Sequence, residues 1–181
     1  MKAPNLESER LFYTPLDLSF ASKRYVDWMN DKEVNKFMES GGDYSLSKLH
    51  KFLEKVEKQE ILFWAIITKE TKKHIGNIKI DPLSLKNLTG EYGLMIGDKN
   101  EWGKGYATEA SSEILKFCFS KKLNLRKITL GVVYENSTAL KLYRKLGFEQ
   151  EGLLKKHAKH EGRWCDIVRM AKFNPNLSSE H

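Results

Sequence analysis

Cysteine is scarce: the chain has two in 181 residues, Cys118 and Cys165. Two thiols cannot build a disulfide framework or, alone, a cysteine-based zinc site. No apolar run approaches the roughly 18 residues of a membrane span. The opening MKAPNLESERLF lacks the apolar stretch of a signal peptide, so a cytoplasmic protein with no membrane partner is expected. Repeats, low-complexity linkers and shifts of composition are absent, which predicts one domain over 1–173 and a polar tail over 174–181. At 40% hydrophobic and 11% aromatic residues the chain is far from disorder.

Charge is unbalanced but not concentrated. The 31 Lys+Arg outnumber 24 Asp+Glu, for a formal +7. The lysines are scattered, as on a soluble surface, and no aromatic-basic motif of an RNA-binding sheet runs through them. Nucleic acid is therefore not expected as a partner. A phosphorylated cofactor remains compatible with the excess.

The hydrophobic period changes along the chain. Leu11–Leu16 reads as a short strand, and Ala21, Tyr25, Trp28 and Met29 recur at helical spacing until a break near Asn30-Asp31. Val34, Phe37 and Met38 predict a further helical turn closed by Gly41-Gly42. Leu49, Phe52, Leu53 and Val56 form a helix stripe that Ser45 or Ser47 would cap. Strands follow at 62–68, 74–80 and 91–97, with a loop from Asp81-Pro82 to Gly90. A long helix carries Ala107, Ala110, Ile114, Phe117 and Cys118 on one face. After a strand at 127–133 comes a helix with Ala139, Leu142, Tyr143 and Leu146, ended by Gly147. Strands at 148–153 and 166–173 close the domain, and the tail NPNLSSEH is expected to fray. The class is α/β with a mixed sheet.

The segment Trp102-Gly103-Lys104-Gly105-Tyr106-Ala107-Thr108 leaves one of these strands and opens the long helix. Two glycines let backbone N–H groups approach an anion, and the helix N-terminus adds unpaired donors and partial positive charge. A P-loop would need Lys after its second glycine, and a dinucleotide fingerprint would need Gly or Ala where Thr108 stands. A tight turn without ligand is the bland alternative.

The string WGKGYATEA, with N-x-x-A-x-x-x-Y-x-K-x-G-F over Asn136–Phe148, resembles the GNAT superfamily of acetyl-CoA-dependent N-acetyltransferases. Trp102 departs from the general Q/R-x-x-G-x-G/A loop, but such strings are usual in the RimJ/RimL-like branch, and the likeness begins at Ser8-Glu9-Arg10-Leu11. The resemblance implies a mixed, mostly antiparallel sheet of six to seven strands flanked by about four helices. It implies direct transfer of an acetyl group to a primary amine, with acetyl-CoA as co-substrate and no metal. Residues 102–108 would hold the pyrophosphate, while the backbone of Met95, Ile96 and Gly97 would pair with the pantetheine arm. Asn136 would cap its helix and bond the same arm. Tyr143 stands at the family's general acid, and Glu91, 11 residues before Trp102, is the candidate base.

The resemblance also implies that Trp28, Asn30, Asp31 and Trp164 line the acceptor site, whereas His157 and His160 read as surface in a basic loop. The acceptor expected first is a nucleotide-linked amino sugar, ahead of a protein N-terminus of ribosomal-protein type and a polyamine. Few acidic residues cluster near the site to attract a polycation. Monomer and homodimer stay open. Rival readings are a non-catalytic acetyl-CoA-binding module, which could dispense with acid and base, and a basic nucleic-acid-binding domain.

Overall fold

Eight strands and four helices are present among the described residues, which a computed structural model places as 2–38, 40–59, 61–160 and 162–177. In chain order they are β1 (Leu6–Glu7), β2 (Leu11–Pro15), α1 (Lys23–Asn30), α2 (Leu46–Lys58), β3 (Leu62–Thr68), β4 (His74–Ser84) and β5 (Thr89–Ile96). Then follow α3 (Tyr106–Phe119), β6 (Lys127–Val133), α4 (Ser137–Lys145), β7 (Glu149–His160) and β8 (Arg163–Phe173). The strands form one sheet ordered β1-β2-β3-β4-β5-β6-β8-β7. Every neighbouring pair is antiparallel except β5 with β6. That is the expected mixed fold with one strand more.

Strand alternation divides the core. Leu62, Trp64 and Ile66 of β3 face α3, where Trp64 meets Phe117 edge-on at 5.9 Å. Phe63, Ala65 and Ile67 face the other way, onto the cluster made by Trp28 of α1 and Leu49 and Leu53 of α2. Caps agree with the sequence: Ser45 accepts from the Lys48 N–H at 3.2 Å, and Gly147 ends α4 at φ +83°.

Several expectations are corrected. Val34 and Phe37 lie in turns and Met38 outside regular structure, not in a helix; Met29's carbonyl is taken by Gly42 N–H and the Asn35 amide, both at 2.8 Å. β4 runs past Pro82 to Ser84 through a register shift between Ile80 and Leu83, a place where a strand can do without a ladder N–H. The outer hairpin β7–β8 is longer than its pattern predicts, since β7 is an exposed edge rich in Lys and His and has no apolar alternation to show. The tail is tied at its start: buried Asn174 donates its amide to the Leu125 carbonyl at 2.9 Å. Residues 178–181 of that tail lie outside the described residues.

His74 opens β4 in an aromatic enclosure, 4.9 Å from Phe20, 5.7 Å from Tyr25 and 5.0 Å from Trp28, ring to ring. Burial outweighs its 2.9 Å hydrogen bond to Asn77 and pushes its pKa down from 6.5 to about 4. Between those two values the unfolded chain binds a proton that the folded chain refuses. Stability is therefore full above pH 6.5 and falls as pH drops towards 4, by about 3 kcal/mol. Urea midpoints measured from pH 7 to 4 should show this slope, and His74→Phe should lose most of it; an equal slope in the variant would assign the effect elsewhere.

Candidate active site

The parallel ladder between β5 and β6 is short. It pairs Thr89 with Lys127, Gly90 with Ile128 and Glu91 with Thr129, then stops. Beyond that point β5 is bonded to β4 alone and β6 to β8 alone, so the sheet is split. Pairing is lost where the two strands diverge, leaving an open backbone edge on β5 from Tyr92 onward. A cleft of about 1140 Å³ occupies the split and reaches both faces of the sheet.

At the far end of β5 the glycine loop enters α3. Gly103 and Gly105 have φ of +75° and +82°, and no side chain caps the helix at Gly105. A Cβ on Gly103 would meet nothing within 4 Å, and one on Gly105 only the Arg10 guanidinium at 3.5 Å. The glycines are thus required by backbone conformation and by the open approach above them, not by crowding. Lys104 pairs with Glu101 at 2.8 Å. The Trp102 indole N–H donates to the Ile96 carbonyl at 2.8 Å, fastening the loop to the strand end. Gly97 N–H is likewise used, by the Ile75 carbonyl at 2.9 Å. Of the three backbone positions expected to meet an extended ligand, two already spend a group inside the protein. The free edge lies before them.

One brace of this loop escaped the sequence. Arg10 donates from its backbone N–H and its Nε to the Glu109 carboxylate, both at 2.7 Å, and from Nη1 to the Lys104 carbonyl at 2.9 Å. The Ser8 hydroxyl donates to the same carboxylate at 2.7 Å, and Arg10 stacks over Tyr106 at 4.6 Å. The signal was present as two strings, Ser8–Leu11 and the loop itself, but 99 residues separate the partners.

Tyr143 reaches the split from α4. Its ring stands edge-on to Tyr92 and Phe148, each at 5.8 Å. Burial pushes its pKa up to about 12, so it carries its proton throughout the neutral range. Asn136 lines the same cleft while its side chain accepts from the Ala139 N–H at 3.1 Å, capping α4.

Glu91 sits at the last rung before the split, in the cleft, and is gripped in a fork by Arg169: Nη1 to Oε1 at 2.9 Å and Nη2 to Oε2 at 3.0 Å. The guanidinium holds its carboxyl below the ordinary 4.5. Against an alkylammonium near 10.4, direct transfer to such a carboxylate is uphill by at least about 8 kcal/mol. The sequence offers Glu91 as the candidate base, and the fork with Arg169 lowers its basicity.

The four residues expected around the acceptor do not line the cleft. Trp28 is 6% exposed and lies flat under Gly97, where a Cβ would collide with its ring. Asn30 spends both ends of its amide on the Tyr44 backbone, at 2.7 and 2.9 Å. Asp31 pairs with Lys99 at 2.8 Å, and Trp164 stands out on the hairpin, 63% exposed. Glu33, Phe37 and Met38 take their place, with His157 and His160, expected as plain surface, on the opposite wall.

The acetyltransferase (GNAT) domain family matches residues 10–149. The chain belongs to the GNAT family. An uncharacterised N-acetyltransferase, p20 of Bacillus licheniformis, is 33% identical over 167 residues, covering 90% of this chain and 92% of that protein. The spermidine N(1)-acetyltransferase of Vibrio cholerae is 31% identical over 105 residues, 58% of this chain and 60% of that one. A crystal structure of spermidine N-acetyltransferase from Vibrio cholerae, in complex with CoA and spermine, has a TM-score of 0.82 at 24% identity, covering 91% and 95% of the two chains. This GNAT chain shares that fold. No helix among the described residues is long and apolar enough to cross a membrane.

Proposed function

We propose that the protein is a cytoplasmic acetyl-CoA-dependent N-acetyltransferase acting on a small primary amine by direct transfer. The observation that carries this reading is the conjunction of the split after Glu91, the positive-φ glycine loop at one end of it and the Tyr143 hydroxyl inside it. The loop and the N-terminus of α3 offer backbone N–H groups to a pyrophosphate, steadied by Arg10 and Glu109. The open edge of β5 accepts an extended arm as an added strand. Acetyl-CoA supplies, when bound, an acetyl group activated as a thioester. The amine attacks the carbonyl carbon, the carbon–sulfur bond breaks, and the amine's proton leaves to water. Tyr143 donates a hydrogen bond to the departing sulfur. Its pKa lies above that of a thiol, near 8.5, so holding the proton against the thiolate is favoured over early complete transfer.

Charge ranks the acceptors. The cleft carboxylates are each beside a cation: Glu33 by Lys99, Asp81 by Lys79, Glu91 by Arg169 and Glu101 by Lys104. Lys141, Lys145, His157 and His160 line it with no ion-pair partner among the described residues. An acceptor that brings its own negative charge fits this wall better than a polycation, which keeps a nucleotide-linked amino sugar first and agrees with the RimJ/RimL-like string at the loop. Polyamines form a second reading, favoured by the names of the Vibrio cholerae relatives. Mass spectrometry of a panel of nucleotide-linked amino sugars, polyamines and N-terminal peptides should show one acetyl group gained on a UDP- or dTDP-linked amino sugar. Acetylation of spermidine with the sugars untouched would reverse the ranking.

A further inference from the structure

The Glu91–Arg169 fork joins residues that are not on neighbouring strands. Glu91 is on β5, Arg169 on β8, and β6 runs between them. Arg169 pairs in register with Gly131 of β6. A Cβ on Gly131 would stand 3.0 Å from Arg169 Nη1 and 3.1 Å from Ile167. The absent side chain is what lets the guanidinium lie across β6 and reach the carboxylate. It arrives at the rung where β5 and β6 part, and both side chains are about one-third exposed to the cleft. A surface ion pair of this kind would contribute little to stability, yet a bidentate fork fixes orientation.

We infer that Arg169 is a positioning residue that reaches over Gly131 to hold Glu91 in one orientation, so that Glu91 accepts a hydrogen bond from the acceptor nitrogen at the vertex of the split; the ammonium gives its proton to water there, and the neutral amine so held attacks. The inference rests on the reading that amines are acetylated in this cleft. A carboxylate in a fork keeps lone pairs for a third partner, and a charge-assisted hydrogen bond to an incoming amine orients its nitrogen towards the split. Other charged groups around Glu91 leave this arrangement in place. Lys79 of β4 also lowers its pKa, Asp81 offsets Lys79 at 3.5 Å, and Glu151 of β7 is held by Lys127 at 2.6 Å. His157 and His160 of β7 and Tyr143 of α4 line the same cleft.

Arg169→Gln, Arg169→Lys, Glu91→Gln and the double variant Glu91→Gln/Arg169→Gln test this with two readouts. Carbon-13 NMR of the Glu91 carboxyl in the free protein needs no substrate. Its titration should lie below the ordinary carboxylate range in the wild type, rise in Arg169→Gln and return part of the way in Arg169→Lys. In steady-state kinetics Arg169→Gln should raise the acceptor KM about 10-fold or more, leave the acetyl-CoA KM within about twofold, and add nothing in the Glu91→Gln background. An unshifted Glu91 titration, or a full additional loss in the double variant, overturns the proposal. If no amine is acetylated by the wild type, the functional reading fails, while the NMR result still decides whether Arg169 sets the state of Glu91.

Discussion

Tyr143→Phe is expected to lower kcat about 100-fold while leaving the fold and acetyl-CoA affinity nearly unchanged. The ring keeps its edge-on contacts with Tyr92 and Phe148, so the packing term is conserved. What the substitution removes is the hydroxyl alone. Its remaining task is to hydrogen-bond the sulfur as charge develops there, an interaction made in the transition state and not in the ground state. Such a loss lowers kcat and kcat/KM together and spares KM. One general acid contributes 10²- to 10⁴-fold in typical cases, and a phenol with a pKa near 12 belongs at the lower end because it is a weak acid. The same value places no basic limb from Tyr143 in a pH–rate profile below about pH 10. An unaltered kcat, measured where chemistry limits turnover, would reduce Tyr143 to a core residue of α4.

What the sequence shows of this architecture follows the strength of its patterns. β3 and β6 are bounded as the runs at 62–68 and 127–133 predict: β3 is an apolar run covered on two faces, and β6 alternates buried Ile128, Leu130 and Val132 with the less buried Lys127, Thr129 and Gly131. The glycine loop was legible because positive φ demands glycine at Gly103 and Gly105. Arg169 was not, because its partner lies 78 residues away and the device depends on a glycine in a third segment. Nor was the fate of Asn30 and Asp31. The family resemblance implied an acceptor wall, but a 14-residue reach to Tyr44 and a pairing with Lys99 consume their hydrogen-bonding groups. Long-range polar pairing is what a periodicity argument cannot see, and in this protein most of the site is built from it.

Gly105→Val is expected to reduce acetyl-CoA affinity at least about 100-fold in a protein that still folds. The backbone at Gly105 has φ +82°, where a β-branched side chain costs about 1–3 kcal/mol. For a chain of this size that lowers Tm by several degrees, well short of unfolding. Collision within the free protein adds little, because the new Cβ would meet only the flexible end of Arg10 at 3.5 Å. The larger effect is on the ligand. The N-terminus of α3 has no side-chain cap at this position, so its N–H groups are left for an anion, and a valine side chain would stand in the approach to them. Losing the approach removes several backbone-to-phosphate hydrogen bonds at once, each charge-assisted and worth about 1.5–3 kcal/mol. Two such bonds already exceed the 2.8 kcal/mol that corresponds to about 100-fold. Gly152→Val supplies the control, since a Cβ there meets nothing within 4 Å and the site is remote on β7. Calorimetry should find acetyl-CoA binding lost in Gly105→Val and retained in Gly152→Val. Equal affinity in the folded Gly105→Val protein would mean that the pyrophosphate is held somewhere other than this loop.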